Sequence, residues 1–309
     1  MQKHWGVILN PKAGDKKISG KQTISEALKS GGIDGDFRYS EYAGHATVLA
    51  RELVAAGYRH VLVVGGDGTI SEVVDGLMTS GVDSRELTFA ILPSGTGNDW
   101  CRYWNIGKRV DECLAHLEKG CTKRVDVGCL TYNKAQEVVT KYFINSVGLG
   151  FDAEIVSRAE QFGNFAKGIS LNYLFALIVC AVTHKSKPIL FEADNDTFNG
   201  DFFTMSIANG PYTGGGIKQT PDADPTDGQF DVLLASRPTV YQTIRDISRV
   251  LFRRGFGGVL HLYRTSKVRL TSQERHKVEA DGIIQDGAEA PFNISIVPGA
   301  LNMIVRDEG

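Results

Sequence analysis

Val61-Leu-Val-Val-Gly-Gly-Asp-Gly-Thr-Ile-Ser-Glu-Val-Val-Asp-Gly-Leu-Met78 changes character at its middle. It opens on the apolar run Val61–Val64, as expected of a strand covered on both faces. From Ile70 onward the apolar residues fall at Ile70, Val73, Val74 and Leu77, which is a helical period. Between strand and helix lies Gly65-Gly66-Asp67-Gly68-Thr69. Glycines let the backbone come close to a ligand. A helix N-terminus offers N–H groups and a positive dipole end, so the junction favours phosphate. Asp67 is the informative residue, because a bare carboxylate repels phosphate. A bridging cation, ordered water or proton handling would account for it. Taken alone, the loop also reads as a plain Asp-Gly turn. It is neither a Walker A loop nor a Rossmann fingerprint.

The same alternation extends outward. Trp5–Asn10 reads as a strand, followed by a helix capped by Ser19 and running to Ser30. A short strand at Phe37–Tyr39, a helix at His45–Ala56, a strand at Phe89–Leu92 and a helix at Val110–Lys119 complete a parallel α/β pattern. A second glycine loop, Leu92-Pro-Ser-Gly-Thr-Gly-Asn-Asp99, follows one strand, and Asn10-Pro-Lys-Ala-Gly14 follows another. Ligands of open parallel sheets bind outside the carboxyl ends of the strands, so loops at neighbouring ends can serve one ligand.

Beyond Lys123 short alternating runs dominate: Lys141–Asn145, Ile189–Ala193, Phe202–Ala208, Phe230–Leu234, Lys267–Leu270, Phe292–Val297 and Leu301–Val305. Asn199-Gly200 reads as a turn between two of them. This predicts an antiparallel β domain with helices inserted at Ala153–Gln161, Ile169–Thr183 and Val240–Arg253. The expected division is residues 1–125 and 126–299.

Net charge is -2 over 309 residues, which argues against a dedicated nucleic-acid binder. The five cysteines form no Cys-x-x-Cys pair, which fits a reducing, cytoplasmic setting. The apolar run Ile169–Val182 is shorter than the ~20 residues of a spanning helix. Membrane contact would then be peripheral. Arg245, Arg249 and Arg253 form a basic stripe that can rest on anionic lipid or simply face solvent.

These loops resemble the catalytic domain of diacylglycerol kinases in their soluble bacterial form, with kinship to sphingosine and ceramide kinases. The resemblance continues through Asn145-Ser-Val-Gly-Leu-Gly-Phe-Asp-Ala153, Asn209-Gly-Pro-Tyr-Thr-Gly-Gly-Gly216, Pro221-Asp-Ala-Asp-Pro-Thr-Asp-Gly228 and Asp281-Gly282. It implies an N-terminal α/β domain of the NAD kinase/diacylglycerol kinase type and a C-terminal β-sandwich, with the end of the chain, about 300–309, packing back on the first domain. It also implies an ATP- and magnesium-dependent kinase acting on a lipid hydroxyl, with diacylglycerol the default substrate. ATP would touch Asn10, Ser40, Gly65, Gly66, Asp67, Gly68, Thr69, Ile70, Ser71, Glu72, Ser94, Gly95, Thr96, Asn98 and Asp99. Magnesium would sit with Asp224, Asp227 and the Gln229 carbonyl. Asp281 would be the general base, with Asp67 the other catalytic candidate. The family usually carries Glu after the late Asp-Gly, where this chain has Ile283, so a polar contact is lost.

From the residues alone, the carboxylates of Asp222, Asp224 and Asp227 suit a hard cation or a solvated acidic turn. Asp281-Gly282 alone reads as a hairpin turn. An NAD kinase would share the first glycine loop, but such enzymes typically carry an Asn-Glu pair and this chain has none. A catalytically weak nucleotide or lipid sensor is the third reading, and Ile283 is its support.

Overall fold

The computed structural model describes residues 4–11, 22–119, 121–161, 184, 186–194, 196–236 and 260–306. Two compact units emerge: residues 1–126 with 298–309, and residues 127–297. The expected helices Ile169–Thr183 and Val240–Arg253, and with them the arginine stripe, lie outside the described residues. Among the described residues no helix is long and apolar enough to cross a membrane.

The first unit is built on parallel strands β1 (Trp5–Leu9), β2 (Gly35–Tyr39), β3 (His60–Gly65) and β4 (Thr88–Pro93). They are ordered β2-β1-β3-β4, and Trp5 lies opposite Gly35 on one side and His60 on the other. Val61–Val64 are wholly buried, which explains why β3 shows no polar alternation. One face packs Leu62, Val64, Ala90 and Leu92 against Ile24 and Leu28 of helix α1 (Ile24–Ser30) and Cys113 and Leu117 of the helix Val110–Lys119. Helix α2 (His45–Ala55) packs along α3 (Asp67–Met78). A short helix, α4 (Asp99–Tyr103), follows the second glycine loop, and we number Val110–Lys119 α5.

Helix α1 begins later than expected. Thr23, not Ser19, is its cap, and Thr23 and Glu26 form a reciprocal capping box. The Thr-x-x-Glu spacing carried that signal.

The second unit is antiparallel. Its strands are β5 (Thr122–Lys134), β6 (Glu137–Phe143), β7 (Ser146–Gly150), β8 (Lys187–Ala193), β9 (Asp196–Ala208), β10 (Tyr212–Thr213), β11 (Ile217–Lys218), β12 (Phe230–Ser236), β13 (Leu260–Thr265), β14 (Lys267–Thr271), β15 (Val278–Ala280), β16 (Ile283–Ile284) and β17 (Glu289–Ile304). The first residues of β5 and the last of β17 belong to the first unit. Helix α6 (Phe151–Gln161) follows β7. The central order is β15-β7-β9-β8-β14-β17, and β9 also pairs with β12. Phe143, Phe191, Phe230 and Phe292 fill a core with Val147, Ile207 and Leu270. Strand β14 shows the alternation plainly, with Val268 and Leu270 inward and Lys267 and Arg269 outward.

Turn signals mislead in both directions. Asn199 and Gly200 lie inside β9, paired with Leu190 and Ile189, so that run begins at Asp196 rather than Phe202. Pro298-Gly299 sits within the single strand β17, which merges two expected strands. The true turn between β5 and β6 is Ala135-Gln136, both at positive φ without a glycine. That hairpin carries no compositional signal. At the other end of the first-unit sheet, Asn302 and Met303 pair parallel to Thr88 and Phe89 of β4. Buried Trp100 donates its indole N–H to Met303 Sδ at 3.2 Å.

Candidate active site

In the first unit the glycine loops stand at the carboxyl ends of β3 and β4, which are neighbours. Ser94 N–H donates to the Gly65 carbonyl at 2.9 Å. The loops touch: a Cβ on Gly95 would stand 2.5 Å from Gly66 Cα, and one on Gly66 would stand 3.0 Å from Gly95 Cα. Glycine is required at this crossing because two backbones share the space a side chain would take. Asn98 holds the second loop by a reciprocal pair with Gly95, accepting its N–H at 3.0 Å and donating to its carbonyl at 2.8 Å. Asn10, at the end of β1, donates to Thr69 Oγ1 at 3.0 Å, so the third loop joins the same place. Ser40 at the end of β2 donates its N–H to the Leu9 carbonyl and is buried.

The remaining expected nucleotide residues divide. Gly68 is open, with nothing within 4 Å of a Cβ there, and Thr96 is exposed. Ile70 and Ser71 are wholly buried, so neither side chain is open to a ligand. Glu72 accepts the N–H groups of Gly44 at 2.8 Å and Ala46 at 3.1 Å. Its carboxylate therefore caps α2, whose own N-cap, Gly44, has no side chain for that work. Lys108 and Arg102 donate to the Gly95 and Gly97 carbonyls and set two positive charges at the second loop. Sequence reasoning missed both, since exposed basic residues carry no motif.

Asp67 points from the start of α3 toward α4 and accepts N–H groups of Trp100, Asn98 and Asp99. Loss of hydration and then the neighbouring Asp99 charge push its carboxyl up to about 6, against those hydrogen bonds. The folded chain thus holds this proton more tightly than the unfolded one. Stability is fullest below about pH 4 and falls as pH rises to about 6. Asp67→Asn removes that loss. Urea unfolding should show the variant gaining about 1–3 kcal/mol on the wild type between pH 4 and 7. Parallel curves would refute the electrostatic account.

In the second unit Asp281 occupies the two-residue turn between β15 and β16, with φ 51 for Asp281 and 77 for Gly282. The hairpin reading of this dipeptide therefore holds. The side chain does more. Its carboxylate accepts the N–H groups of Ile144 at 2.8 Å, Asn145 at 2.8 Å and Ser146 at 3.0 Å. Asn145 in turn donates to the Tyr212 carbonyl, and Asn209 donates to the Ile144 carbonyl at 2.7 Å. Segments 145–153, 209–216 and 281–282 thus converge on one node. Two further acids lie near it, Asp152 half-buried and Glu279 buried. Asp152 accepts from Gln219 at 2.9 Å, and burial pushes its carboxyl up. Glu279 is pushed up to about 8, chiefly by burial. Neither was singled out from sequence, because an acid in an alternating strand or an amphipathic helix reads as solvent-facing.

The loop expected to hold magnesium is differently committed. Asp224 accepts the N–H and hydroxyl of Thr226, and Asp227 accepts Gln229 N–H. The second Asp227 oxygen faces Arg264, which also lies 3.6 Å from Asp231. A guanidinium stands where a cation would neutralise these acids. Among the described residues no three His, Cys, Asp or Glu side chains gather as a metal cage. As folded, the bonds to Thr226, Gln229 and Arg264 hold this loop without a cation. EDTA should leave the thermal midpoint of the free protein unchanged. Asp227→Asn should cost about 0.5–1 kcal/mol, the scale of a largely exposed ion pair. A fall in midpoint on adding EDTA would restore the metal.

Residues 4–130 match the diacylglycerol kinase catalytic domain, and residues 145–305 match the YegS C-terminal NAD kinase beta sandwich-like domain. The chain is 27% identical to "Putative lipid kinase YtlR" of Bacillus subtilis, over 97% of this chain and 99% of that one. It is 26% identical to "Putative lipid kinase SAR0780" of Staphylococcus aureus, over 99% and 98%. A crystal structure described as a "putative diacylglycerol kinase" from Bacillus anthracis superposes with TM-score 0.74 at 22% identity, covering 99% of this chain and 95% of that chain. Yeast NADH kinase in complex with NADH shares the fold at TM-score 0.51 and 10% identity, covering 100% and 85%. The protein is thus a kinase with an NAD kinase-like fold. It belongs to the diacylglycerol kinase catalytic-domain family, which implies ATP as phosphoryl donor.

Proposed function

We propose that this chain transfers the γ-phosphoryl group of ATP to the hydroxyl of a membrane lipid, with diacylglycerol the default acceptor. The observation that carries the reading is the backbone contact between Gly66 and Gly95 at the ends of adjacent parallel strands. Two loops without side chains at their crossing leave peptide N–H groups to meet phosphate, and α3 adds its positive end. Asn10, Ser40, Thr69 and Thr96 supply polar groups around them. Magnesium arriving with ATP would neutralise the phosphate charge, as in other phosphoryl transfers. Asp281 takes the proton that the acceptor hydroxyl loses as its oxygen bonds to phosphorus.

Fold likeness to an NADH kinase leaves NAD as the rival acceptor. Labelled ATP incubated with the protein, a total lipid extract and NAD in parallel separates the two. Label in an organic-phase lipid phosphate is expected. Label in NADP alone would end the lipid reading. Because the acceptor sits in a bilayer, the protein should work at a membrane surface.

A further inference from the structure

The departure at position 283 has a counterpart two residues upstream of Asp281. Ile283 brings no carboxylate to β16, but Glu279 on β15 brings one to the same turn. Its Oε2 accepts Gly282 N–H at 2.6 Å, reaching forward past Asp281. Its other oxygen lies 2.4 Å from the place a Cβ would take on Gly148, the residue opposite it on β7. Gly148 N–H also bonds this carboxyl. Glu279 therefore lies folded along the strand pair, buried at 6% exposure. An acid held so deeply needs a reason, since burying a carboxyl is costly without partners.

We propose that Glu279 is a positioning residue for Asp281, replacing from β15 the polar contact that Ile283 does not supply. The two carboxyls tie one turn to one strand at successive points. Asp281 grips Ile144, Asn145 and Ser146, and Glu279 grips Gly148 and Gly282. Asp281 keeps φ 51, as an Asp-Gly hairpin turn does, and the bond from Gly282 N–H to Glu279 fastens the residue that follows it. The charged groups facing Glu279 are Asp152 of α6 and Asp281 itself, and both disfavour its ionised form. The neutral acid also places no additional negative charge beside the base.

This inference rests on Asp281 being the base, and its test separates the two. Wild type, Glu279→Leu, Glu279→Gln and Gly148→Ala are compared with ATP and dioleoylglycerol micelles, or with the lipid the labelling experiment identifies. Glu279→Leu should lower kcat about 10–100-fold, the scale of a misplaced catalytic group, with both KM values held within about threefold. Glu279→Gln keeps an acceptor for Gly282 and should recover most of the rate. Gly148→Ala dislodges the same carboxyl from the opposite strand and should reproduce the loss. Hydrogen exchange of the Gly282 and 144–146 amides should quicken in the two impaired variants. Wild-type kcat in Glu279→Leu, or unchanged exchange at Gly282, overturns the positioning role while leaving Asp281 as base. Wild-type turnover in Asp281→Asn removes the base and this role together.

Discussion

Asp281→Asn should lose about 10²–10⁴-fold in kcat on the true lipid acceptor, the range typical of a missing general base, while ATP affinity stays near that of the wild type. The substitution is close in shape, and an amide oxygen can still accept N–H groups from the Ile144–Ser146 segment. What it cannot do is take a proton. Single-turnover kinetics with pre-bound ATP isolates the chemical step. The structure complicates a simple picture of a free base, because three backbone N–H groups already engage this carboxylate. Asparagine also leaves its NH₂ facing one of those donors, so part of any loss could be structural. Asp281→Glu separates the causes: it keeps the base but cannot seat the same bonds. Full turnover in Asp281→Asn would make Asp67 the leading candidate.

Gly95→Ala should be the most damaging change to nucleotide binding. Its methyl would stand 2.5 Å from Gly66 Cα, and backbone cannot step aside as a flexible side chain can. Overpacking of this kind costs about 1–3 kcal/mol, and here it falls on the loops that must cradle phosphate. Calorimetry with ATP and magnesium should show affinity reduced roughly 10–100-fold. Gly66→Val strikes the same crossing from the other side and should behave alike. Gly200→Ala in β9 of the second unit is the control, since a Cβ there meets nothing within 4 Å. Equal affinity in all three would separate the crossing from the phosphate site.

The first unit was legible because its signals are local. An unbroken apolar run followed by glycines and a helical period can be read without knowing what lies beside it. The second unit depends on pairings distant in sequence, and there local signs failed in both directions. Asn199-Gly200 looks like a turn and is strand, while Ala135-Gln136 is a turn without any turn residue. The node around Asp281 was legible as motifs but not as contacts. Nothing in Asn145-Ser-Val announces that its N–H groups converge on a carboxylate 136 positions later. Glu72 shows the same limit, since its value as a cap for α2 comes from a glycine 28 residues earlier.

Strand β17 decides how this protein can be cut. Residues 4–130 coincide with a recognised domain, yet a fragment ending there lacks Asn302 and Met303, which close the β4 side of the first-unit sheet. The edge so bared would carry unpaired N–H and C=O groups beside Phe89, an invitation to strand-to-strand association. Trp100 would lose the sulfur its indole N–H rests on. Such a fragment should precipitate or form oligomers. One in which residues 298–306 are rejoined through a short flexible linker should stay monodisperse, and its tryptophan emission should report the strand's return.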